Sequence, residues 1–171
     1  MRKMILLALA LGLSLFSFEI ASGQEKPASQ PKKAAAAAAP KHVMILPSDI
    51  EWGDPPPTLP KGAKLAVLYG DPAKTGPFVI RIKGPDGYKV AAHWHPTTEY
   101  VTVLSGTFYL GTGDKLDESK GTAMPAGAFG AMPARMHHFA WFKGDGEIEI
   151  HAMGPFQIVY VNSADDPRKA K

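Results

Sequence analysis

Gly87-Tyr-Lys-Val-Ala-Ala-His93-Trp-His95-Pro-Thr-Thr-Glu99-Tyr-Val-Thr-Val-Leu-Ser-Gly106 is the stretch whose reading decides the fold. His93 and His95 are two residues apart, so on a strand both project to the same face. Pro96 cannot donate to a sheet ladder; it ends that strand and starts a tight connection through Thr97 and Thr98. Glu99 opens a second run in which Glu99, Val101 and Val103 share a face, and Gly106 supplies the next turn. Two imidazoles and a carboxylate so spaced can meet on one side of a β-structure and hold a divalent metal.

Outward from this stretch, short apolar runs recur between turn sequences. The runs are Lys64–Tyr69, Phe78–Ile82, Tyr100–Leu104, Thr107–Leu110, His138–Phe142, Ile148–Met153 and Phe156–Val161. Gly-Asp-Pro at Gly70, Gly-Pro-Asp-Gly at Gly84, Gly-Thr-Gly-Asp at Gly111 and Gly-Asp-Gly at Gly144 separate them. Glycine takes positive φ, proline presets the corner and aspartate bonds back to the backbone, so each reads as a turn. Many short strands at this spacing predict an all-β sandwich or barrel. After residue 41 nothing shows a sustained helical period. Pro55-Pro-Pro57 belongs to an extended leading arm or loop.

The start of the chain reads differently. Arg2 and Lys3, an apolar run from Met4 to Phe18 and the small residues Ala21-Ser-Gly23 predict a secretory signal peptide over 1–23. The run is short for a membrane span, so no membrane association is expected after its removal. Residues 24–41, with six consecutive alanines between prolines, predict a disordered Ala/Lys/Pro linker. The domain then occupies 42–171, with its core at about 64–161. Localisation is expected to be extracytoplasmic, periplasmic or secreted. The absence of cysteine excludes disulfides and thiolate ligands. The formal charge of +3 comes from the leading segments: residues 42–171 carry thirteen Lys and Arg against fourteen Asp and Glu. Nucleic acid is therefore not an expected partner.

A second constellation is Gly127-Ala-Phe-Gly-Ala-Met-Pro133-Ala-Arg135-Met-His137-His138. Pro133 ends a segment and Met136 to Phe142 alternates, so only one of the adjacent histidines can face the interior. Together the two constellations resemble the cupin superfamily, in a small single-domain, type-2-like form. The first motif, Gly, five residues, His-x-His, three residues, Glu, six residues, Gly, matches at all five fixed positions. In the second, Gly127, Pro133 and His138 match, while Arg135 stands in place of a glycine and Phe142 in place of an asparagine.

The resemblance implies one antiparallel jelly-roll barrel of cupin, RmlC-like, type and selects His138 as the fourth ligand beside His93, His95 and Glu99. Such a set suits one divalent transition metal (Mn, Fe, Zn, Cu or Ni) with positions left for water or substrate. Function is then expected to be that of a metal-dependent enzyme, of dioxygenase, oxidase, isomerase or lyase type, acting on a small polar molecule. The alternative is a non-catalytic extracytoplasmic module binding a metal or small ligand. A metal-free sugar-type binding barrel ranks third. A homodimer through outer strands is the default assembly.

Other residues are read as structural. His137 points away from the site, and His151 shares a polar face with Glu147 and Glu149. No role is assigned to His42. Arg81 either lines the cavity and holds an anion or lies outside with Ile80 and Ile82 turned inward, the second being favoured. Phe108, Tyr109, Met124, Met132 and Phe142 are core residues that could line a pocket. Trp94 and Trp141 face away from the ligands. Arg135 marks a reshaped loop or a different turn type. No second acid or base is visible, and no catalytic residue is assigned.

Overall fold

The alternation of apolar and polar side chains becomes eight antiparallel strands in the structure, a computed structural model that describes residues 42–169. They are β1 (Lys64–Tyr69), β2 (Gly76–Gly84), β3 (Lys89–Trp94), β4 (Glu99–Thr112), β5 (Thr122–Pro125), β6 (Phe129–Met132), β7 (His138–Gly154) and β8 (Val159–Tyr160). The order β1-β2-β7-β3-β8 forms one path, and β4 leaves it by pairing with β5, β6 and β7. Among the described residues there is no α-helix, only four short 3-10 turns, and no helix is long and apolar enough to cross a membrane. The signal peptide and linker expected over 1–41 lie outside the described residues.

Two turns expected from sequence are absent. Gly106 lies inside β4 and Gly144-Asp-Gly146 inside β7, so four expected runs merge into two long strands. The register between β4 and β7 shifts between Val103 and Ser105 and again between Ser105 and Thr107. The chain bends there as a bulge and continues. Gly106 has φ 73°, and a Cβ on it would come 2.4 Å from the Asp145 carbonyl oxygen. The glycine thus permits a close crossing of backbones instead of a reversal. It also changes which residues of β4 point inward: Glu99, Val101 and Val103 before it, Phe108 after it.

The main apolar cluster of the core is drawn from the inward positions. Phe78, Ile80 and Ile82 of β2 meet Val101 and Val103 of β4 and Ile148 and Ile150 of β7. Phe78 is 1% exposed and packs edge-on to Phe156, ring centroids 5.1 Å apart. Burying such a ring contributes about 1.5–3 kcal/mol. The first half of β7 is covered on both faces, because Phe139 and Trp141 form a second cluster with Ala92, backed by Tyr109, Leu116 and Val161. That double burial explains the unbroken apolar run after His138. β5 and β6 were not among the expected runs; each has four residues and a partly exposed face, too short to show a period.

Candidate metal centre

Three neighbouring strands bring the candidate ligands together. β3 pairs with β7 so that His93 stands opposite His138. β3 ends at Trp94, so His95 lies just past the strand, still turned to the same side. Glu99 is the first residue of β4 and pairs with Met132 of β6 and Ala152 of β7. All four are buried: His93 5%, His95 3%, Glu99 6% and His138 2% exposed. One nitrogen from each imidazole lies within 4.8 Å of the other two. The Glu99 carboxylate adjoins two of them, its Oε2 being 3.5 Å from His95 Nε2 and 3.4 Å from His138 Nε2.

The ring orientations are set by backbone carbonyls. His93 Nδ1 donates to Ala91 O at 2.7 Å, His138 Nδ1 to Met136 O at 2.9 Å and His95 Nδ1 to Gln157 O at 2.8 Å. A carbonyl can only accept, so each Nδ1 carries the proton and each Nε2 keeps a lone pair. The first two bonds reach back two residues and are equivalent across the His93–His138 pair. The third comes from the segment leading into β8, the strand paired with β3, and fixes His95 where its own strand no longer does, helped by Phe156, which stacks on its ring at 4.3 Å.

The Nε2 atoms of His95 and His138 are buried and have no hydrogen-bond partner. Lone pairs of imidazole nitrogens and of a carboxylate therefore face one another at close range. That arrangement is costly unless a cation lies among them. Burial, and then the nearby His138 and His95, lower the His93 pKa to about 3. Burial also lowers that of His95, although Glu99 works against it. For Glu99 burial opposes ionisation, but the adjoining imidazoles, His95 foremost, hold its carboxyl below the ordinary value. Neutral imidazoles and an ionised carboxylate are the forms that bind metal, and the donor set fits a divalent transition ion.

The donors line a cavity of about 410 Å³ whose walls include Leu59, Ile80, Ile82, Val101, Phe108 and Phe142. Phe108 and Phe142 thus reach the cavity. Met124 and Met132 are buried in the core, and Tyr109 stacks on Trp141 at 4.8 Å in the other cluster. Tyr88 and Tyr160 pin the leading arm over the cavity by donating to Pro60 O at 2.9 Å and Thr58 O at 2.8 Å. Burial raises both hydroxyl pKa values, that of Tyr160 to about 12. Neither the pinning tyrosines nor the carbonyls that orient the imidazoles were found from sequence, since backbone acceptors leave no signature in side-chain identity.

The remaining candidates stay outside the centre. Arg81 lies on the outer face, its Nε donating to Glu149 at 2.8 Å and Nη1 3.5 Å from Glu147. His151 bonds Glu149 on that surface, and His137 bonds Asp114 at 2.6 Å. Arg135 keeps the left-handed conformation of the glycine it replaces, φ 65°, and its N–H donates to His95 O at 2.8 Å.

Comparison with known proteins agrees with this architecture. The family model of the ChrR cupin-like domain matches residues 40–157. The polyketide cyclase RemF from Streptomyces resistomycificus superposes with TM-score 0.63 at 14% identity, covering 75% of this chain and 92% of that one. An acetylacetone dioxygenase from Acinetobacter johnsonii gives 0.58 at 15% identity, covering 80% and 88%. An RmlC-like cupin from Shewanella frigidimarina gives 0.53 at 18%, covering 67% and 91%. At these identities the likeness is one of fold. No curated protein matches the chain.

Proposed function

Because the chain belongs to the family of ChrR cupin-like domains, we propose that it is a metal-dependent enzyme that binds one divalent transition metal through His93, His95, Glu99 and His138. The single observation that carries this reading is the pair of orphaned, buried Nε2 atoms, their rings preset by Nδ1–carbonyl bonds, beside a buried carboxylate. When bound, such a metal supplies Lewis-acid polarisation of a substrate oxygen and, where redox-active, electron transfer.

The chain's own residues do the rest. The three carbonyl acceptors hold the imidazoles in the ligating tautomer, so little reorganisation accompanies loading. The apolar walls exclude water from the donors, which strengthens every electrostatic contact made there. Tyr88 and Tyr160 keep the arm carrying Leu59 against the cavity. The same proposal has the protein work outside the cytoplasm after removal of residues 1–23, supported by Arg2, Lys3, the apolar run and Ala21–Gly23.

One observation favours the non-catalytic reading. Among the described residues, the only ionisable side chains lining the cavity besides the four donors are Asp71 and Tyr88. Asp71 is held by Lys74 at 2.8 Å and by the Ala73 N–H, and the Tyr88 hydroxyl donates to Pro60 O. Among the described residues no free acid or base stands beside the centre. Metal-dependent product formation supports the enzyme, whereas tight ligand binding with no product over hours supports the module. Elemental analysis of purified variants tests the centre itself: His93→Ala is expected to lose most bound metal and His137→Ala to keep it. Stoichiometric metal in His93→Ala would overturn the assignment.

A further inference from the structure

The geometry points to a substrate with an apolar body of about a dozen non-hydrogen atoms and a single monoanionic oxygen head group. This inference rests on the metal reading above and narrows the expected small polar molecule to one whose polarity is confined to one end.

The size follows from the cavity. At about 30 Å³ for each water-sized group, 410 Å³ holds roughly a dozen such groups. The apolar body follows from the walls. Leu59, Ile80, Ile82, Val101, Ile148 and Ile150 all line the space and all belong to the buried core. Three polar groups among the lining residues are already committed. Tyr88 donates its hydroxyl to Pro60 O, the Thr58 carbonyl is taken by Tyr160, and Asp71 is paired with Lys74. A charge on the part of a ligand seated among these buried walls would therefore lie without an opposite charge beside it, which costs several kcal/mol.

The head group follows from charge. Three neutral imidazoles and one carboxylate leave a divalent ion with one net positive charge. In an apolar enclosure that charge is best matched by one anionic ligand and no more. Arg81, the cation that sequence reading offered for an anionic substrate, is spent on Glu149 and Glu147 on the outer face. Among the described residues a dianion thus meets no second cation in the cavity.

Two binding experiments test this with probes of defined chemistry. In the first, protein stripped with a chelator is titrated with octan-1-ol, followed by NMR shifts. Saturable binding is expected, and its loss in Ala140→Phe, which grows a ring from a cavity-lining residue of β7. Val90→Phe, on the paired position of β3, serves if the first variant does not fold. In the second, zinc-loaded protein is titrated calorimetrically with acetate, butyrate, hexanoate, octanoate and octanedioate. Affinity is expected to rise about fourfold per methylene. Octanoate, at about 300 Å³ by the same measure, fits. It is expected to bind at least tenfold tighter than octanedioate. A flat chain-length series, or equal binding of octanedioate, on metal-loaded protein overturns the substrate class and leaves the metal reading standing. Failure to take up zinc sinks the metal reading, while octan-1-ol then still decides on the cavity: no saturable binding, or binding unaffected by both blocking variants, overturns the apolar class.

Discussion

Replacing Glu99 by glutamine should make the metal-free protein more stable and the metal-supplied protein less stable than wild type. The carboxylate is 6% exposed and faces the unpartnered Nε2 atoms of His95 and His138 at 3.5 and 3.4 Å. An amide of the same shape removes a buried charge and can donate an N–H to one of those nitrogens. Satisfying such a group is worth about 1–3 kcal/mol. For a domain of this size about 1 kcal/mol moves Tm by about 4 °C, so stripped Glu99→Gln should melt roughly 4–12 °C above stripped wild type. Adding zinc at about a hundred times its Kd should stabilise wild type by about 2.7 kcal/mol, or roughly 10 °C. The variant has lost the only anionic donor, and its gain on adding zinc should be a small fraction of that. Calorimetric melting of both proteins, with chelator and with zinc, gives all four values. If Glu99→Gln lowers Tm equally with and without metal, the four side chains form a structural polar cluster and the metal argument fails.

Three further outcomes are expected. Arg135→Gly should raise Tm by about 2–4 °C: φ 65° costs a non-glycine residue about 1–2 kcal/mol, partly offset by the entropy glycine loses on folding. A lower Tm would mean that the Arg135 side chain makes contacts that outweigh the strain. Gly106→Ala should destabilise by roughly 2–5 kcal/mol in denaturant titration, since its Cβ meets both a positive φ and the Asp145 carbonyl at 2.4 Å; a change within about 0.5 kcal/mol would contradict the crossing described. For Glu149, burial works against ionisation, but bonds from His151 and Arg81 hold its carboxyl below the ordinary 4.5. A depressed carboxyl contributes stability above that pH and loses it as pH falls through the folded value. Melting curves from pH 7 to 3 should fall less steeply below 4.5 for Glu149→Gln than for wild type, and identical slopes would refute the pairing.

The strand periodicity was legible because side-chain direction in a sheet alternates with sequence. Phe78, Ile80 and Ile82 point inward and Arg81 outward as alternation requires. Turn chemistry alone was not enough at Gly106 and Gly144: positive φ serves a bulge as well as a reversal, and the neighbouring strand decides which. β5 and β6, four residues each, lie below the length at which a period can be read.

For the centre, the spacing on β3 and at the start of β4 is local information and singled out His93, His95 and Glu99 as candidate donors, while the cupin resemblance singled out His138. The sequence could not determine their convergence. His93 meets His138 only because β3 pairs with β7 in one register, and a slip of one residue would present Phe139 or His137 instead. The tautomers depend on carbonyls at Ala91, Met136 and Gln157, and every residue has a carbonyl. The apolar wall around the donors is assembled from five strands and the leading arm. Enclosure is a property of packing in three dimensions, so only the tertiary structure could decide what kind of molecule fits.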